Sequence, residues 1–246
     1  MLHADELPAG FVLGQLLDRV DWAPGLTTFN VEARVQPGLA GQFHMLALPG
    51  PDGSLVRRAY SLASAPEAPL EFLVVEVPGG ALTPALFALR PGDGLALSER
   101  PEGTFHLGRV PDARDLWLIS TGTGIAPYLA MLRTPEPWAR FQRIVLVHGV
   151  RQQADLAYRG LLEAMDLVYL PVVSREPAAL RGRIPALLQD GSLEAAAGVR
   201  LQAEHSQVML CGNPEMTGEM QALLEARGLR RNRAREPGQI TAERYW

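Results

Sequence analysis

A change of rhythm near residue 108 constrains this chain more than any other feature. Before it, short strand-like segments follow one another near 11–20, 26–35, 41–48, 55–63, 70–77 and 94–99, punctuated by glycine and proline. Residues 70–77 are mostly apolar, as in a strand buried on both faces. Six short strands predict a small antiparallel β-barrel. One helix interrupts them. Thr83 is expected to cap it, Pro84 suits its first position, and Arg90-Pro91-Gly92-Asp93-Gly94 turns the chain away.

After residue 108 the pattern alternates. Strands are expected at 116–120, 144–147, 167–173 and 207–210, with helices at 127–132, 154–165, 184–189 and 214–227. Alternation of this kind predicts a doubly wound α/β fold with a parallel sheet. The expected division is therefore a barrel domain over 1–108 and an α/β domain over 109–246, joined through the glycine-, proline- and charge-rich stretch 108–114. The chain has 246 residues, enough for two ordinary domains.

Composition removes several classes of function. The net charge of −4 argues against a whole-surface nucleic-acid binder. A single cysteine, Cys211, allows no internal disulfide and no cysteine-ligated cluster or zinc site, and the five histidines show no metal-ligand spacing. No stretch approaches the ~20 apolar residues of a membrane helix. Asp5 and Glu6 stand near the N-terminus without a long apolar run, so a reducing, cytoplasmic setting and a monomer are the expectations. All 23 basic residues are arginines, which grip phosphates with a planar, permanently charged fork.

Five short constellations carry the chemistry. Thr121-Gly122-Thr123-Gly124-Ile125-Ala126-Pro127 follows a buried strand and opens a helix. Its glycines let backbone approach a ligand, and the helix start suits a pyrophosphate, although an ordinary turn would look the same. It is neither the usual dinucleotide fingerprint nor a P-loop, since no lysine follows. Cys211-Gly212-Asn213-Pro214 sits at the carboxyl end of a strand, where parallel sheets bind ligands; a structural buried cysteine is the alternative.

Within the barrel half, Arg58-Ala59-Tyr60-Ser61 combines a phosphate-binding fork, a flat ring and a hydroxyl, or else forms an ordinary edge strand. The C-terminus ends on Tyr245-Trp246, aromatics that must stack on a ligand or dock on the protein's own core. Arg151, Arg175 and Arg183 fall at or near the ends of strands, where an extra ribose phosphate would need them, or where solvated arginines commonly stand.

In this order the motifs resemble the ferredoxin–NADP reductase family, closest to its bacterial ferredoxin/flavodoxin branch, over about residue 10 to Trp246. The resemblance implies an N-terminal FAD-binding barrel and a C-terminal NADP-binding domain, with the tail 241–246 returning to the flavin. It implies that Arg58 holds the FAD pyrophosphate, with Ala59 beside it, that Tyr60 stacks on the flavin, and that Ser61 lies near its reactive nitrogen. Ala81, Leu82 and Thr83 would present backbone N–H groups to the pyrophosphate. Thr123 would lie where the cofactors meet, Tyr245 would cover the flavin, and Trp246 would stack near the adenine. For NADP(H), the resemblance implies Thr121, Gly122, Gly124, Val150, Arg151, Ser174, Arg175, Arg183, Gly212 and Asn213. Ser61, Cys211 and Glu243 are the implied catalytic residues.

The implied activity is hydride transfer between NADPH and flavin, with single electrons passing to ferredoxin or flavodoxin. An acidic carrier would dock on Arg230, Arg231, Arg233 and Arg235, unless that run is simply a solvated charged face. The competing readings are an NADH-using reductase of flavins, heme proteins or an oxygenase, and a nucleotide-binding redox sensor without turnover. Glu176, close to Arg175, is the residue an NADH user would turn toward ribose hydroxyls.

Overall fold

The computed structural model describes residues 7–245 and forms two units. One runs through His106 and takes in Ala126–Thr134; the other comprises Leu107–Ile125 and the chain from Pro135 onward.

The first unit is a six-stranded antiparallel sheet made of β1 (Phe11–Ala23), β2 (Leu26–Glu32), β3 (Phe43–Pro49), β4 (Leu55–Ser61), β5 (Leu70–Val75) and β6 (Gly94–Ser98), in the order β4-β3-β6-β1-β2-β5. The two outer strands meet just past β4. A bridge pairs Leu62 with Phe72, and the Ala63 N–H donates to the Glu71 carbonyl at 2.8 Å. That junction closes the sheet into a barrel, as its six short strands predict. Leu16, Phe29, Val31, Leu46, Phe72, Leu95 and Leu97 fill the interior.

The helix α1 (Thr83–Ala88) stands where expected, but its cap differs. Leu82 is the N-cap and no side chain caps the helix. The Thr83 hydroxyl turns back instead: it accepts from the Val77 N–H at 2.9 Å and donates to the Val77 carbonyl at 3.2 Å. Thr83 thus clasps the loop ahead of the helix, a local side-chain-to-backbone bond that competes with capping for its hydroxyl. The same unit includes α2 (Ala126–Leu132), after which the Arg133 guanidinium binds the Ala63 carbonyl at 2.9 Å and the Glu71 carboxylate at 2.7 Å.

The second unit is a parallel sheet of β7 (Asp115–Thr121), β8 (Arg143–Val150), β9 (Val168–Val173), β10 (Leu180–Arg181), β11 (Ser206–Gly212) and β12 (Ile240–Arg244), in the order β10-β9-β8-β7-β11-β12. The remaining helices are α3 (Glu136–Arg140), α4 (Arg159–Glu163), α5 (Ile184–Gln189), α6 (Ser192–Ala197) and α7 (Pro214–Ala226). One face of the sheet (Trp117, Ile119, Val145, Val147, Val208, Leu210) packs on apolar residues of α5, α6 and α7.

Three details depart from the sequence expectation. The helix expected over 154–165 is a 3₁₀ turn at Gln153–Asp155 followed by α4, because Tyr158 adopts a left-handed φ of 59° between them. Residues 240–244 form an edge strand, β12, in parallel register with β11. Two short helices, α3 and α6, lie in stretches that carried no helix expectation. Among the described residues no helix is long and apolar enough to cross a membrane.

Candidate functional site

The second unit's sheet is built outward from β7. The chain winds through β8, β9 and β10 on one side, then returns to place β11 and β12 on the other. Such a reversal opens a crevice at the carboxyl ends of the two central strands. Here those ends are Thr121–Gly124 and Cys211–Asn213.

The two loops are packed backbone against backbone. A Cβ on Gly124 would stand 2.7 Å from the Cys211 carbonyl oxygen, and a Cβ on Gly212 would stand 2.8 Å from that of Thr121. Gly212 also carries a φ of +125°, which side-chain-bearing residues rarely adopt. The Asn213 N–H donates to the Thr121 hydroxyl at 2.9 Å, tying the loops together. The Asn213 side chain caps α7, accepting from the Glu215 and Met216 N–H groups at 2.8 and 3.2 Å.

Below this crevice lies a buried histidine with no part in the sequence expectation. His148 is 1% exposed on β8, between Ser120 of β7 and Pro171 of β9. Its Nε2 lies 3.2 Å from the Gly122 carbonyl oxygen and its Nδ1 3.3 Å from the Tyr169 hydroxyl. Burial pushes its pKa down to about 4, against the opposing effect of the Gly122 contact. The imidazole is therefore neutral at ordinary pH.

Cys211, Glu243 and Tyr245 come together at the edge between β11 and β12. Cys211 is fully buried and in register with Glu243. Burial pushes the thiol pKa well up, the Glu243 charge adds to this, and a hydrogen bond with Tyr245 opposes it. The thiol therefore stays protonated and is no nucleophile. Burial also raises the Glu243 carboxyl to about 7, and its Oε2 has no hydrogen-bond partner among the described residues. A carboxyl poised near neutrality can hold or release a proton at working pH. The Tyr245 N–H donates to the Gly212 carbonyl at 3.0 Å, which anchors the chain end beside the crevice. Trp246 lies outside the described residues.

At the carboxyl ends of β8 and β9, the Arg175 N–H donates to the Arg151 carbonyl at 2.9 Å and the Ser174 hydroxyl donates to that of Val150 at 3.2 Å. Both arginine side chains are exposed. Arg183 behaves differently: its guanidinium sits 3.2 Å from Glu215 and 3.3 Å from Glu219 of α7. Glu176 is engaged elsewhere, its carboxylate accepting the Gln153 N–H at 2.7 Å.

In the first unit, Arg58 and Ala59 are exposed on β4, Tyr60 is half-buried against the barrel core, and Ser61 is buried. Arg58 and Tyr60, two apart, share one face of the strand. Burial lifts the Tyr60 hydroxyl to about 12 while the Arg58 charge works against it, so the ring stays neutral. At the start of α1, Ala81 is exposed whereas Leu82 and Thr83 are buried. Of the four arginines in the 230–235 run, all exposed, Arg231 pairs with Glu225 at 3.2 Å and Arg233 with Glu236 at 3.7 Å.

Two family models match separate stretches of the chain. The oxidoreductase FAD-binding domain family matches residues 26–107, and the oxidoreductase NAD-binding domain family matches residues 118–222. The chain is 44% identical to the flavodoxin/ferredoxin–NADP reductase of Escherichia coli (strain K12) over 97% of its length and all of that protein's. It is 37% identical to the ferredoxin–NADP reductase of Pseudomonas aeruginosa, over 89% of this chain and 92% of that one. A crystal structure of a Neisseria gonorrhoeae ferredoxin NADP+ reductase with bound FAD and NADP superposes with a TM-score of 0.92 at 34% identity, covering 97% of this chain and 100% of that one.

Proposed function

Since the chain belongs to the ferredoxin/flavodoxin–NADP reductase family, we propose a division of labour among its residues. The enzyme is a flavoprotein oxidoreductase of FAD and NADP(H) that moves electrons between NADPH and ferredoxin or flavodoxin. Bound FAD supplies the step from a two-electron hydride donor to a one-electron acceptor, which no side chain can perform.

The first unit's residues suit the flavin nucleotide. Arg58 offers an exposed fork to a pyrophosphate, Tyr60 a neutral ring on the same strand face, and Ser61 a hydroxyl one residue on. The backbone of Ala81, Leu82 and Thr83 would add donors, and the Thr83 hydroxyl steadies that segment through Val77.

The second unit's residues suit the dinucleotide. Gly124 and Gly212 let the two loops pack backbone against backbone, which would present main-chain groups to a pyrophosphate at the crevice. Thr121, Gly122 and Thr123 would line it. Val150, Arg151, Ser174 and Arg175 would receive the adenosine ribose phosphate. Arg183 would join only by leaving Glu215 and Glu219. Cys211 would border the nicotinamide as a neutral, space-filling thiol, and Glu243 would hold or pass a proton beside it. Asn213 contributes by fixing the start of α7.

The carrier is proposed to dock where Arg230 and Arg235 stand exposed, since among the described residues both lack ion pairs like those that occupy Arg231 and Arg233. The single cysteine suits a reducing, cytoplasmic setting.

The observation that carries the NADP reading is the juxtaposition of Arg151 and Arg175 at adjacent strand ends, with Glu176 turned to Gln153 instead of a ribose hydroxyl. The test is anaerobic mixing of the yellow holoenzyme with NADPH or NADH. Fast bleaching with NADPH and slow bleaching with NADH is expected. Equal rates would remove the arginines from this account.

A further inference from the structure

We propose that His148 is a positioning residue for the dinucleotide site: it fixes the orientation of the Gly122–Thr123 peptide group from beneath. The inference rests on the reading above that the Thr121–Gly124 loop receives the NADP pyrophosphate.

The argument begins with where the histidine sits. Its strand, β8, reads Arg-Ile-Val-Leu-Val-His-Gly-Val, an apolar run interrupted by one polar ring. A buried imidazole needs partners for both nitrogens. It has one of each kind. The Gly122 carbonyl can only accept, so Nε2 carries the proton and donates to it at 3.2 Å. Nδ1 is then an acceptor, and the Tyr169 hydroxyl at 3.3 Å donates to it. Burial disfavours both imidazolium and phenolate here, which keeps this single arrangement in place.

The consequence lies in the peptide group. The Gly122 carbonyl and the Thr123 N–H belong to one planar trans unit and point in opposite directions. Holding the carbonyl down toward His148 directs the Thr123 N–H away from it. Gly122 opens a 3₁₀ turn over Gly122–Ile125 with a φ of +53°, a left-handed value that glycine adopts without strain. The turn alone leaves this first peptide at a glycine, the softest point of the segment, and the hydrogen bond from His148 adds the restraint that holds its carbonyl down. The Tyr169–His148–Gly122 chain thus runs from a half-buried hydroxyl through a buried imidazole to a residue that is itself exposed.

The test uses two probes on the oxidised holoenzyme, followed through the flavin spectrum or by calorimetry. 2′-Phospho-ADP-ribose carries the pyrophosphate and 2′-AMP does not. In the native protein the first should bind more tightly. If it does not, the loop does not hold the pyrophosphate and the underlying reading fails. Given that gain, His148→Phe should weaken 2′-phospho-ADP-ribose about tenfold and leave 2′-AMP within about twofold, the scale of one lost hydrogen bond. His148→Gln, which keeps an N–H donor, should restore most of the difference. Tyr169→Phe should show a smaller loss on the same probe. A histidine that only fills the core would change neither probe, or both alike, and either result overturns the proposal. Should His148→Phe fail to fold, His148→Gln and Tyr169→Phe decide: no selective loss in Tyr169→Phe and an equal loss of both probes in His148→Gln would overturn it.

Discussion

The two regions proposed to face the nucleotides are built on opposite plans. On β4 the proposed recognition groups are side chains on an outer strand of the barrel sheet: Arg58 is exposed, and its guanidinium donates to the neighbouring Arg57 carbonyl at 2.8 Å. At the β7–β11 crevice the proposed recognition surface is backbone. Gly124 and Gly212 hold two loops in mutual contact, Asn213 and Thr121 tie them, and His148 supports them from below. A substitution on β4 should therefore change binding and spare the fold, whereas a substitution in the crevice should change both.

The harshest way to break this contrast is Gly212→Ala. The new Cβ would press on Thr121 backbone atoms 2.8 and 3.0 Å away, at a φ of +125°. A cost of about 3 kcal/mol in stability is expected, with Tm lower by roughly 6–12 °C in a chain of this size. Thermal melting and NADP+ titration should fall together. An unchanged Tm would mean that the loops are not packed as tightly as the contrast requires.

Arg58→Ala should do the reverse. FAD affinity should drop on the order of tenfold to a hundredfold, as for loss of a charge-assisted contact to phosphate, while the melting temperature of the apoprotein stays within about 2 °C. Reconstitution of the apoprotein with FAD, followed by fluorescence, measures the first and a melting curve the second. A large loss of apoprotein stability would show that Arg58 belongs to the barrel's structure.

Glu243→Gln sharpens the comparison through pH. Burial lifts this carboxyl from 4.5 to about 7, so between those values the folded protein holds a proton that the unfolded chain has released. Stability from this group is thus present at low pH and is lost as pH rises from about 4.5 through about 7. The native protein should lose stability relative to Glu243→Gln over that window. Its NADPH-dependent turnover should also show an inflection near neutrality that the variant lacks. Parallel melting curves at pH 5 and pH 8 would remove the raised carboxyl.

The uneven legibility of the sequence follows the same contrast. Thr121–Pro127 and Cys211–Pro214 are readable because a glycine-rich turn after an apolar strand is a local pattern, and local patterns survive in one dimension. The barrel strands are readable for a like reason, from their glycine and proline punctuation. What escapes is fixed by distant partners. The strand β12 exists because Ile240–Arg244 finds the free edge of β11, and nothing in Thr-Ala-Glu-Arg announces that pairing. Tyr158 takes a left-handed φ of 59° without a glycine or asparagine to signal it. Thr83 has the right type and place for a cap, yet a competing partner, the Val77 backbone, wins its hydroxyl. His148 hides in an apolar strand because its meaning lies in two residues, Gly122 and Tyr169, brought to it from neighbouring strands and loops. The grouping of Arg151 with Arg175, and the separate pairing of Arg183, likewise depend on tertiary placement.

The smallest expected effect lies outside both regions and shows where the contrast ends. Arg230 and Arg235 are exposed, and reversing both with Arg230→Glu and Arg235→Glu should leave Tm, FAD content and NADPH oxidation by an artificial acceptor unchanged, because solvated charges contribute little to stability. Reduction of an acidic ferredoxin or flavodoxin should slow about threefold to tenfold at low salt, since steering of a charged partner is a long-range effect. The difference should shrink as ionic strength rises and the Debye length falls toward a few ångströms. Arg231 and Arg233, already neutralised by Glu225 and Glu236, should matter less when reversed. If the doubly reversed protein shows the native salt dependence with the carrier, the docking surface lies elsewhere on the molecule.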